Sequence, residues 1–205
     1  MVRSERKERE FNMRRSEILS QAEKIFAAKG FHNVTMADIA GASGFSIGSL
    51  YQFFKGKKNL YTAMISEKLD LMYAEVREAP AATEDVIEKI GVLIDAHLKF
   101  VDKNTDFLLL FIKGEITSLP DDMEALRRKL IQGYEEHITF IENLLKEGVN
   151  KGLLRNLPSR DMAEALFNLI RASSVTWILA AKKESLGSKK GFIMDIFLNG
   201  VRKND

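Results

Sequence analysis

Residues 44–60, GFSIGSLYQFFKGKKNL, set two serines, a tyrosine, a glutamine and three lysines around a short apolar segment. Small hydroxyls, an amide and ammonium groups form hydrogen bonds and ion pairs; they do not by themselves make or break bonds. Their spacing fits contact with a large, negatively charged surface. A core helix has no use for Lys55, Lys57 and Lys58 at its exit, and a purely solvated helix has no use for Leu50, Phe53 and Phe54.

Bond-making chemistry has little to stand on. The chain has no cysteine, which removes disulfides, thiolate metal sites and a cysteine nucleophile. Residues 44–48, GFSIG, spell G-x-S-x-G, but Gly41, Gly44 and Gly48 belong to a turn between two helices rather than to a strand-to-helix nucleophile elbow, and there is no H-E-x-x-H and no phosphate loop. His97 and His137 lack a recognisable metal-ligand spacing. The expectation is a non-enzyme without metal or cofactor. The N-terminus has no apolar run of a signal peptide. Residues 162–181, the longest apolar region, contain Glu164, Asn168 and Arg171 and read as a buried helix rather than a membrane span. A cytoplasmic protein with no membrane partner is expected. The 205 residues, 45% hydrophobic and 29% charged, suffice for a large core. The net charge is only +2, but basic residues are in excess in the first third and acidic ones slightly so afterwards.

The elements that would present the opening stretch can be read from periodicity. Residues 1–12 alternate charge sign and read as a mobile arm or frayed helix start. Ile18, Ala22, Ile25 and Phe26 then mark one face of a helix that ends at Lys29 and Gly30. Thr35 and Asp38 form a capping box ahead of a short helix with Met36, Ile39 and Ala40 inward. Gly44 ends it, and Ser46 caps the next helix, whose expected buried side is Ile47, Leu50, Phe53 and Phe54. A fourth helix runs from Lys57 to about Glu78. Two short helices across a glycine turn describe a helix-turn-helix. In that geometry Ser46, Ile47, Gly48 and Ser49 would enter the major groove of double-stranded DNA. Gln52 suits adenine N6 and N7, Tyr51 offers a hydroxyl beside it, and the lysines supply charge for phosphates.

Residues 14–65 resemble the DNA-binding domain of the TetR family of bacterial transcriptional regulators. Phe26, Gly30, Phe31, Thr35, Ile39, Ala40, Gly44, Ser46, Gly48, Leu50, Tyr51, Phe54, Lys55 and Lys57 follow that family's pattern in order. Phe45, Ile47 and Asn59 depart from it. The resemblance implies that Thr35 and Tyr51 touch phosphates, that Lys57 clamps one, and that Ser46 to Gln52 form the reading face. It implies an all-α fold: a helix-turn-helix domain over residues 1–65, and an effector-binding and dimerisation domain over 66–205. About nine helices are expected.

Beyond residue 65, amphipathic helices are expected over 84–102, 105–117, 121–151, 159–183 and 188–202, the last two at the position of the family's dimer interface. His97, Phe100, Phe107, Phe111, Tyr134, His137, Phe167 and Trp177 are candidates to line an effector cavity, and Arg171 to meet an acidic group there. The function expected is a homodimeric repressor released from a palindromic operator by a small, largely apolar effector. An activator, or a helical ligand-binding protein or enzyme with a vestigial head, is the alternative.

Overall fold

In a computed structural model, residues 2–112, 120, 123–180 and 184–201 are described, with side chains from residue 5. The described chain is helical: α1 (Val2–Lys29), α2 (Met36–Ser43), α3 (Ile47–Phe53), α4 (Lys57–Glu78), α5 (Val86–Lys103), α6 (Thr105–Ile112), α7 (Glu124–Asn150), α8 (Ser159–Leu179) and α9 (Lys189–Val201). Short 3₁₀ turns follow α4 at Ala79–Ala82 and precede α9 at Leu186–Ser188. Residues 113–117, 121–122, 181–183 and 202, which the periodicity assigned to helix ends, lie outside the described residues.

The chain forms two compact units, Met1–Lys68 with Asp106–Arg127, and Leu69–Thr105 with Arg128–Asp205. The division is interleaved, with α6 in the first unit.

In the first unit, Ile18, Ala22, Phe26, Val34, Ile39, Leu50 and Leu60 are fully or almost fully buried. Tyr61 sits edge-on to Phe26 and Phe31, with ring centroids 4.9 Å away in each case. Gly30 and Gly44 take positive φ of 80° and 72° at the ends of α1 and α2, a conformation only glycine adopts cheaply. Of the two readings of residues 1–12, residues 2–12 take the helix start: they are the first turns of α1. Glu10 accepts from Arg14 one turn on, at 2.6 Å. Phe11 lies 4.6 Å from Phe53 between ring centroids, so local charge pairing and one aromatic contact extend the helix.

In the second unit, α5, α7, α8 and α9 enclose a core that includes Ile90, Leu93, Ile94, Leu98, Ile138, Ile141, Leu145, Leu166, Ile193 and Phe197. Gly148 lets Leu154 approach closely: a Cβ there would stand 2.7 Å from Leu154 Cδ1. Lys89 on α5 reaches Glu147 on α7 at 3.2 Å. Among the described residues no helix is long and apolar enough to cross a membrane.

Candidate nucleic-acid interface and effector site

Both caps read from the sequence form. The Thr35 hydroxyl accepts from the Asp38 N–H at 3.1 Å and donates to Asp38 Oδ2 at 2.6 Å, while that carboxylate also takes the Thr35 N–H. These bonds from Thr35, with one from Lys29, hold the Asp38 carboxyl at about 2, below its ordinary 3.8. The hydroxyl is thus committed in both directions, and what Thr35 does here is fix the start of α2. At α3 the Ser46 hydroxyl accepts from the Ser49 N–H at 3.1 Å and lies 2.8 Å from the Ser49 hydroxyl. Gly44 closes α2 by donating to the Ala40 carbonyl, which Phe45 also reaches at 3.2 Å.

This turn sets α3 with Leu50 at 0% and Phe54 at 2% exposure beneath it. Tyr51, Gln52, Ser46 and Gly48 face outward. Ile47 does too, at 46% exposure, which corrects its expected place in the core: Leu50 and Phe54 already fill the inner side of a seven-residue helix. Phe53 is half-buried against Phe11. Arg15 holds α1 to α4 through paired bonds to Glu67, one of 2.7 Å, and lies over the Phe54 ring at 5.2 Å. The outward row is thereby mounted on fixed supports, open along its length, which is the geometry a groove-reading helix requires.

The lysines divide. Lys55 and Lys58 are exposed. Lys57 Nζ donates to the Phe31 carbonyl at 2.8 Å and lies 4.5 Å from the Phe31 ring centroid. Burial and the neighbouring Lys58 lower its pKa. Lys57 therefore ties the loop before α2 to the start of α4. Asn59, one of the departures from the family pattern, accepts the Lys55 N–H at 3.1 Å.

The effector-site candidates separate into four sets. His97, Tyr134, His137 and Phe167 come together: Phe167 lies 6.0, 5.7 and 5.5 Å from the other three rings in that order. His97 and His137 are buried, with Nε2 atoms 2.8 Å apart, and His97 Nδ1 is 2.9 Å from the Leu93 carbonyl. Burial pushes both imidazoles down, His97 to about 4 and His137 to about 3, so both are neutral at pH 7. Phe107 and Phe111 pack on each other at 5.1 Å and belong to the first unit. Trp177 is core and donates to the Glu184 carbonyl at 2.5 Å. Arg171 is exposed on α8 rather than turned inward, because Ile170 and Ser174 take the buried positions.

Sequence reading missed Tyr73, Arg77 and Phe140. Tyr73 stacks on His137 at 5.0 Å, and Phe140 lies 6.5 Å from the same ring. Burial raises the Tyr73 hydroxyl to about 12. Arg77 lies 5.8 Å from the Tyr73 ring centroid. The i, i+4 spacing of Tyr73 and Arg77 was visible, but nothing local told which helix they would meet. Among the described residues no group of three or more metal-ligating side chains occurs.

Comparison with known proteins agrees with this geometry. Residues 18–64 match the family described as bacterial regulatory proteins, tetR family, and residues 65–200 match the YsiA-like protein, C-terminal region. The fatty acid metabolism regulator protein of Bacillus subtilis (strain 168) is 21% identical over 186 residues, 90% of this chain and 94% of its own. The HTH-type transcriptional repressor KstR2 of Mycobacterium tuberculosis (strain ATCC 25618 / H37Rv) is 24% identical over 172 residues, 82% of this chain and 80% of its own. The solved structure of FadR from Bacillus subtilis in complex with stearoyl-CoA superposes with a TM-score of 0.76 at 19% identity, covering 90% of this chain and 98% of that one. The matched segments span the reading head and nearly all that follows it: the chain belongs to the TetR family of bacterial regulatory proteins and is a DNA-binding transcriptional regulator.

Proposed function

We propose that this protein is a repressor that grips a palindromic operator as a homodimer and releases it when a long-chain acyl-CoA occupies the helical unit formed by Leu69–Thr105 and Arg128–Asp205. The outward row Ile47, Gly48, Tyr51 and Gln52, mounted on buried Leu50 and Phe54, carries the DNA-binding part of this reading. Ser46 and Ser49 order the first turn of α3, while Tyr51, Lys55 and Lys58 serve the phosphates. The acyl-CoA assignment is supported by likeness to a regulator solved with stearoyl-CoA and by the aromatic cluster around His97 and His137. Dimerisation is supported by apolar side chains left open on α8 and α9: Leu179 is 72%, Phe192 59% and Ile196 47% exposed. A palindrome is read by two heads about 34–36 Å apart, which a symmetric pair supplies.

The effector acts by differential affinity for the DNA-competent and released states. Fluorescence anisotropy on a palindromic duplex selected from a random pool tests the whole reading. Binding is expected to weaken steeply with salt, because neutralising phosphates releases counterions, and stearoyl-CoA is expected to displace the protein. Tighter DNA binding on adding stearoyl-CoA, or none at all, overturns the effector assignment. No selected sequence at low salt overturns the head's role.

A further inference from the structure

The buried histidine pair has a direction. A neutral imidazole holds one N–H and one bare nitrogen. A carbonyl oxygen only accepts, so the bond to Leu93 places the proton of His97 on Nδ1. His97 Nε2 is then bare, and Nε2 of His137, 2.8 Å away, carries the proton between them. Nδ1 of His137 is left as a bare acceptor, enclosed and without a partner. The opposite polarity would aim two lone pairs at one another beside Leu93. The main chain of α5 therefore dictates, across two rings, the character of the next group beyond His137: a hydrogen-bond donor.

A buried acceptor left unmade costs about 1–3 kcal/mol, and native proteins leave few of them. The rings of Tyr73, Phe140 and Phe167 around His137 donate nothing to it. Arg77, whose charge is felt at His137, has a buried Nε–H that is also without a partner. Arg77 and Phe140 line an open groove of about 530 Å³ together with Glu135, Glu136, Thr139 and Asn143. Two residues next to His137 thus also border this open surface hollow, which His137 itself does not line.

We propose that Nδ1 of His137 is the polar reader of the effector site, selecting ligands whose apolar body carries an uncharged O–H or N–H donor over matched ligands that only accept. The inference rests on the effector reading above for the existence of a ligand, but not on coenzyme A. A hydroxylated acyl chain and an amide N–H of an acyl-CoA both meet the requirement, and a thioester carbonyl does not.

The test uses 1-decanol and 1-methoxydecane, equal in apolar body but different in the donor. Calorimetry on the full chain is expected to show decanol binding about tenfold tighter, the worth of one well-made buried bond. His137→Phe is expected to erase that ratio while the ether still binds. Nitrogen-15 spectra of histidine-labelled wild-type protein are expected to show His97 protonated on Nδ1 and His137 on Nε2. Decanol, and not the ether, should then move the Nδ1 signal of His137. Equal affinities, binding of neither probe, or a His137 protonated on Nδ1 overturns the proposal and leaves internal water as the partner. Failure of stearoyl-CoA to release DNA while decanol behaves as stated removes the acyl-CoA assignment and keeps this one; the reverse outcome does the opposite.

Discussion

Tyr51 and Gln52 stand side by side on α3, yet their chemistry separates the roles proposed for them in binding. A phenol hydroxyl on a phosphate carries no sequence information, whereas an amide against adenine does. Tyr51→Phe is expected to weaken binding by a similar factor on every duplex, and Gln52→Ala to lose about 1–3 kcal/mol of preference at particular positions. A selection from randomised duplexes, run on each variant, checks both; an unchanged Gln52→Ala profile refutes the base-reading assignment. At this scale the sequence was legible where partners are close along the chain. The Thr35–Asp38 box and the Ser46 cap join residues three apart, so spacing alone located them. Ile47 was misplaced because a helix of two turns offers too few positions for its buried face to be fixed by period. The His97–His137 bond joins residues forty apart, and no local signal announces it.

Elements fared better than their contacts. Gly30, Gly44 and the Thr35 and Ser46 caps marked helix ends from α1 to α3. The charge alternation of residues 1–12 leaves arm and helix start open, because the support of these turns, Phe11 on Phe53, lies far off in sequence. The glycines of α2 and α7 give contrasting predictions. Gly44 has φ of 72° and open space where a Cβ would go, so Gly44→Ala is expected to cost about 1 kcal/mol through backbone strain alone. Gly148 has helical backbone, and alanine there gains about 1 kcal/mol in propensity. Its Cβ would nevertheless meet Leu154 Cδ1 at 2.7 Å and Val86 Cγ1 at 3.1 Å, both buried, and overpacking costs about 1–3 kcal/mol. Gly148→Ala is expected to be net destabilising, despite the helix gain, in urea titrations; a stabilised variant would show that Leu154 moves aside freely.

At the scale of the molecule, the histidine pair ties stability to pH. The ordinary imidazole value is 6.5, against about 4 and about 3 in the fold. As pH falls below 6.5 the unfolded chain takes up protons that the folded chain refuses, so stability is full above that value and drains as pH falls toward 4. The urea midpoint is expected to drop between pH 7 and pH 5, and the drop to shrink in H97Q/H137Q. Assembly supplies another expectation. Phe192→Glu places a carboxylate on the open face of α9 and is expected to yield monomers by light scattering, with operator affinity lost while the helical content by circular dichroism stays. Monomers that bind the palindrome undiminished would move the interface elsewhere.

The interleaving of the two units has a practical consequence. Because Asp106–Arg127 clusters with Met1–Lys68, the polypeptide passes from one body to the other three times. A gene truncated after codon 68 would express a fragment without the α6 segment that clusters with it. An autonomous DNA-recognising miniature would need the α6 segment grafted back through a synthetic linker.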